Sequence, residues 1–246
     1  MKKTMGIIGL GNFGAFMVPY LATHFDIYVH DAFDTRVIAN TLQVHSTTLQ
    51  KAASCDVVVF AIPVQNLESA LIAAAPFIRE HALAIDVSSV KVKPVQLMKS
   101  ILPPSVSIIG SHPLFGPESG KNGIEGLKIV LCDVRGEEIT PIKAFCEEQL
   151  KLEVIERTPQ EHDKEMAMVQ GLTHFLARAL VKMNLQPCEM DTLSYNRMFD
   201  IMKLVGHDSM ALFKTIQNEN PYTDQVREDF VNAFKGLEED LQSAKM

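Results

Sequence analysis

Hydrophobic positions fall into two textures along this chain. Up to about residue 156 they gather in short apolar runs closed by polar or turn residues: Met5–Ile8, Ile27–His30, Asp56–Ile62, Leu83–Asp86, Val106–Gly110, Lys128–Cys132 and Glu153–Glu156. Runs that are apolar throughout, without alternation, predict strands covered on both faces, as in a parallel sheet. Helical patterns separate them at Ala15–Thr23, Leu67–Arg79, Pro94–Ile101 and Ile139–Leu150, with short helical pieces at Val37–Ala39 and Leu49–Ala53. Strand and helix in alternation predict an α/β fold with an N-terminal doubly wound, Rossmann-like parallel sheet. After Thr158-Pro159 no strand pattern remains. A long helix is predicted over Glu161–Met183, with Met166, Val169, Leu172, Leu176 and Leu180 on one face, and further helices over 190–204, 208–218 and 222–243. The chain therefore divides into a dinucleotide-binding domain, 1–157, and an all-helical substrate and dimerisation domain, 158–246. Apolar helical faces in so short a region predict a homodimer through the helical domain. The charge alternation over Asp224–Lys245 reads as a solvated helix.

The first turn carries chemistry. Gly9-Leu10-Gly11-Asn12-Phe13-Gly14 lies between a predicted strand and a predicted helix, and Asp31 closes the next strand. This is the context in which a GxGxxG run binds a dinucleotide. Gly9 permits the tight turn, Gly11 lets the backbone approach a pyrophosphate, and Gly14 lets helix and strand pack closely. Leu10, Asn12 and Phe13 complete the loop. Asp31 suits the ribose hydroxyls and would repel a 2′-phosphate, so NAD is the expected cofactor. Ile62 and Pro63 end the third strand at the same edge of the sheet.

Residues 111–123, Ser-His-Pro-Leu-Phe-Gly-Pro-Glu-Ser-Gly-Lys-Asn-Gly, hold two prolines and three glycines and are predicted as a loop after the Val106–Gly110 strand. His112 there is a candidate general base. Ser89, after the Leu83–Asp86 strand, belongs to the same edge and can flank a nicotinamide with it. Composition narrows the setting. The net charge of -7 argues against a nucleic-acid partner. Cys55, Cys132, Cys146 and Cys188 are widely spaced without a CxxC pair, and the first three, in apolar or helical contexts, read as reduced and buried. No run approaches a membrane span or a signal peptide, so the expectation is a cytoplasmic protein without a membrane partner. No His/Cys/Asp cluster suggests a metal.

Four motifs together resemble the prephenate/arogenate dehydrogenase family: GLGNFG at 9–14, DVSSVK at 86–91, SHPLFGPESGKNG at 111–123 and THFLARAL at 173–180. They occur in the family's order, and the third is most like the short, arogenate-type branch. The resemblance implies an NAD-dependent oxidative decarboxylation of prephenate or arogenate in tyrosine biosynthesis. It makes His112 the catalytic histidine and Ser89 the serine that hydrogen-bonds it. It brings His174 and Gln170 to the substrate. Many members hold a substrate carboxylate with an arginine in a Thr-Arg-Ile-Ala segment. The corresponding stretch here is Asp200–Val205, with Lys203 near the arginine's place, and a lysine cannot make the bidentate fork. Lys121, Arg178 and Arg197 are the other candidate cations. Dehydrogenases of 4-amino-4-deoxyprephenate or of β-hydroxy acids, and a non-catalytic NAD-binding regulatory protein, are the competing readings. Intact Ser89 and His112 weigh against the last.

Overall fold

A computed structural model describes residues 2–136, 138–205 and 208–244, with the backbone alone of Leu204. The chain forms two compact units, Met1–His162 and Asp163–Met246. In the first, β1 (Thr4–Ile8), α1 (Asn12–Leu21), β2 (Asp26–His30), α2 (Arg36–Thr41), β3 (His45–Ser46), α3 (Leu49–Ala53), β4 (Val57–Phe60), α4 (Val64–Ala74), β5 (Leu83–Asp86), α5 (Val92–Ile101), β6 (Ser107–Pro113), β7 (Lys128–Arg135), α6 (Ile139–Glu148) and β8 (Glu153–Glu156) follow in order. The strands make one eight-stranded sheet in the order β3-β2-β1-β4-β5-β6-β7-β8. The order reverses between β1 and β4, and the crevice outside their carboxyl ends is where open α/β sheets take ligands.

Both faces of this sheet are covered, which explains its unbroken apolar strands. Ile7, Val57, Val59, Ile109 and Leu131 enter one core with Met17 and Val18 of α1 and Cys146 of α6. Their neighbours Ile8, Val58, Phe60, Ala84 and Ile108 enter the other with Leu67 and Leu71 of α4 and Met98 of α5. Each such Val, Leu, Ile, Phe or Met side chain contributes ~1.5–3 kcal/mol by leaving water.

The structure corrects the expected elements in four places. The sheet is not parallel throughout: β7 runs antiparallel to β6, and β8 runs parallel to β7. The connection over 114–127 contains no helix, and a parallel return would need a crossover over the sheet face. The segment 111–123 is not a loop from its start. β6 continues through Ser111, His112 and Pro113, paired with Leu131, Val130 and Ile129. α4 stops at Ala74 and gives way to a 3₁₀ turn at Ala75–Phe77, because Pro76 has no N–H to continue the helix.

The fourth correction lies in the helical part. α7 (Pro159–Met166) carries the boundary between the units. A π-helical stretch, Ala167–Leu172, then leads to α8 (Thr173–Lys182), followed by α9 (Leu193–Val205), α10 (Met210–Asn218) and α11 (Thr223–Ser243). The wider π turn breaks the 3.6-residue period. Val169, expected on the buried face, is therefore 57% exposed, while Met166, Ala167, Ala177 and Leu180 are buried.

Candidate functional site

The glycine loop fits around its neighbours with little slack. Gly9 has φ +104°, and a Cβ there would lie 2.4 Å from the Ala61 carbonyl oxygen. A Cβ on Gly14 would lie 2.3 Å from the Gly9 carbonyl oxygen. Any side chain at either position forces strand and helix apart. Gly11 is different: nothing lies within 4 Å of its Cβ position. It precedes α1, whose first turn has no side-chain cap, so its N–H groups can meet an anion. Leu10 is buried in the core and Phe13 packs against it. Asn12 is exposed. Asp31 follows β2 and is already engaged, since its Oδ2 accepts from the Leu10 N–H at 2.7 Å. The carboxylate thus braces the loop from the position expected to face a ribose. Ile62 sits against Gly9, and Pro63 precedes α4.

Two strands along, the edge is held by a buried ion pair within the DVSSVK motif. Lys91 precedes α5 and points its ammonium at the Asp86 carboxylate; their side chains are 0% and 1% exposed. Lys91 also donates to the Ser111 carbonyl at 2.6 Å, and the Ser111 hydroxyl donates to the Asp86 carbonyl at 2.8 Å. Asp86 further accepts from the Ser88 N–H at 3.0 Å. The ends of β5 and β6 are therefore tied by side chains where their backbone pairing stops, at Asp86 and Gly110. Ser89 lies half-buried in the same short loop.

His112 is the next residue on β6. It is 3% exposed, and its Nδ1 lies 2.8 Å from Nε2 of His162, with the rings 69° apart. His162 is placed by a capping box. The Thr158 N–H donates to the Glu161 carboxylate at 2.9 Å, and the Glu161 N–H donates to the Thr158 hydroxyl at 3.2 Å. This fixes the first turn of α7 and with it the ring of His162. Burial, then His162, then Lys91 hold the His112 pKa well below the usual 6.5. His112 is therefore neutral at neutral pH. When it donates its Nδ1 proton to His162, its Nε2 carries the lone pair of a base. Nothing in the sequence singles out His162, although Thr158-Pro159-Gln160-Glu161 is a legible helix start.

The helical unit offers a separate polar row. Gln170, His174 and Arg178 recur every fourth residue. Gln170 Oε1, His174 Nδ1 and Arg178 Nε are buried and find no hydrogen-bond partner among the described residues. The Asp208 carboxylate lies 3.7 Å from His174 Nδ1, too far for a hydrogen bond. Burial and the Arg178 charge lower the His174 pKa to about 4, so this contact is not an ion pair at neutral pH. Lys203 on α9 and Lys121 in the β6–β7 connection are exposed. Arg197 is also exposed and pairs with Asp200.

Residues 25–156, more than half of the chain, match the model of the prephenate dehydrogenase nucleotide-binding domain. Arogenate dehydrogenase 2, chloroplastic, of Arabidopsis thaliana is 30% identical over 252 residues, an alignment covering 96% of this chain and 69% of that protein. The chain belongs to the prephenate dehydrogenase family. A family member from Methanocaldococcus jannaschii, a probable arogenate/prephenate dehydrogenase, is 28% identical over 79% of this chain and 45% of its own length. Residues 179–246 match the TYRAAT1-like C-terminal domain. The fold is that of the prephenate dehydrogenase from A. aeolicus, solved with hydroxyphenyl propionate and NAD+: TM-score 0.77 and 22% identity over 100% of this chain and 93% of that one. Prephenate dehydrogenases are oxidoreductases, and the family match places residues 25–156 in their nucleotide-binding domain.

Proposed function

We infer that this chain catalyses the NAD-dependent oxidative decarboxylation of prephenate or arogenate in tyrosine biosynthesis. The observation that carries the reading is His112, a buried neutral imidazole on the sheet that presents the open Gly11 turn. Residues 1–157 serve as the dinucleotide-binding domain and 158–246 as the substrate and dimerisation domain. The open turn at Gly11 and the uncapped start of α1 suit a pyrophosphate, and Asp31 suits an unphosphorylated ribose. Bound NAD+ supplies the hydride acceptor. His112 takes the proton from the substrate's ring hydroxyl as the carbon bearing it is oxidised, assisted by Ser89. The ring carboxylate then leaves as CO₂, and aromatisation makes the reaction effectively irreversible. General-base help of this kind is worth about 10²–10⁴-fold. His174 and Gln170 are substrate-binding residues in this reading.

Initial rates with prephenate and arogenate, each with NAD+ and with NADP+, test the reading. We expect turnover of at least one substrate and a preference for NAD+ of about tenfold or more, the effect of ~1.4 kcal/mol of repulsion. Asp31→Ser should narrow that preference. Equal use of both cofactors by the native protein would remove Asp31 from the argument.

The helical unit also supports a homodimer. Val231, Phe234, Leu237 and Leu241 on α11 are 36%, 58%, 62% and 67% exposed. Their spacing of three or four residues makes one apolar stripe on a helix whose charges alone suggested a solvated surface. A second copy presenting the same stripe would cover it. Light scattering at micromolar concentration should give twice the chain mass, and Phe234→Glu should give the single mass. A monomeric native protein rules the assembly out.

A further inference from the structure

The Thr-Arg-Ile-Ala arginine is missing, and the exposed Lys203 and Lys121 are poor substitutes, because a cation in open water binds a carboxylate weakly. Arg178 is set differently. It lies half-buried on α8, one turn beyond His174. Its Nη2 donates to the Asp208 carbonyl, and its Cζ lies 5.7 Å from the centre of the Phe213 ring. These contacts hold the guanidinium plane. Its Nε is nevertheless buried with no partner among the described residues, and leaving a donor of a charged group unsatisfied opposes folding. Beside it, His174 is 8% exposed with its Nδ1 also unpaired. A fixed guanidinium edge with a spare donor matches a carboxylate, which can take two parallel N–H bonds.

We propose that Arg178 is the cation that binds a substrate carboxylate in this chain, in place of the missing arginine. The proposal rests on the reading of the chain as a dehydrogenase of prephenate or arogenate, both of which carry carboxylates.

Steady-state kinetics on the full chain, with whichever of the two substrates the native protein oxidises, decides it. Arg178→Gln should raise the substrate KM by about tenfold to a hundredfold, the range for losing a hydrogen bond to a charged group. The KM for NAD+ should stay unchanged. Arg178→Lys keeps the charge and a donor for the Asp208 carbonyl but loses the fork. It should recover part of the loss, leaving KM about threefold to tenfold above native. Arg197→Gln, which removes an exposed cation from the same unit, should leave both constants unchanged. An unchanged substrate KM in Arg178→Gln overturns the proposal. So does an equal rise in both KM values with an early thermal transition, since that marks Arg178 as a brace for α8. If Arg178→Gln does not fold, the lysine variant decides, and a native KM there overturns the proposal. Failure of the native protein to oxidise either substrate refutes the underlying reading, and is visible before any variant is made.

Discussion

Replacing His112 with asparagine should lower turnover by about two to four orders of magnitude, the range for losing general-base help. Affinity for NAD+ should persist. The strand survives the change, because its pairing with β7 runs through backbone groups. The asparagine amide can still bond to His162, but it cannot take a proton near neutral pH. The pH profile gives a second reading of the same residue. Protonated imidazole cannot accept the hydroxyl proton, so activity falls as pH drops through the pKa of His112. Burial and the His162 and Lys91 neighbours push that pKa well below 6.5, with the Asp86 carboxylate beside Lys91 as the opposing charge. The acid limb of native turnover should therefore lie on the acidic side of 6.5. Stability follows the same sign: below pH 6.5 the unfolded chain takes up protons that the buried ring refuses, so folding weakens as pH falls. Turnover against pH and melting temperature, taken on one preparation, distinguish the roles. An His112→Asn protein that melts early yet turns over normally would make His112 a structural residue.

Lys91→Met should destabilise the fold by about 3–5 kcal/mol. The cation and the Asp86 carboxylate are both out of water. Removing one leaves the other charged, buried and unpaired, which costs far more than the pair contributes when intact. The Ser111 carbonyl loses its donor in the same step, so the end of β6 beside His112 loosens and turnover should fall with stability. The double replacement Lys91→Met with Asp86→Leu removes both charges and should recover much of the lost stability, because apolar residues of similar volume often match a buried pair. Midpoints of chemical denaturation measure this. A loss below about 1 kcal/mol for Lys91→Met alone, the size of an exposed pair, would show that the pair is not buried in solution.

Local periodicity made much of this molecule legible. The turn from β1 into α1 could be read because Gly9, Gly11 and Gly14 act within a few residues of one another, and Asp31 ends the strand beside them. The apolar runs at β4 and β5 could be read because both of their faces are covered. What was missed depends on distant partners. Ser111-His112-Pro113 looks like a loop until Leu131, Val130 and Ile129 arrive to pair with it. Lys91 looks like a surface charge until its ammonium is seen between Asp86 and Ser111. His162 lies 50 residues from His112 in sequence, and nothing in its own helix announces the meeting. The π turn changed which residues face inward, which a fixed helical period cannot express.

The continuation of β6 through Pro113 also bears on how the chain can vary in length. Base position is usually a matter of loop conformation, and loops tolerate change poorly when they carry the reacting group. Here the residue before Pro113 is registered by a ladder to β7, and Leu114 donates to the Lys128 carbonyl at 2.9 Å to close that ladder. The connection over 114–127 then leaves from a fixed point and returns to one. Insertions or deletions within it leave the imidazole's coordinates to the sheet, so the connection can change in length and sequence while the His112 ring keeps its place.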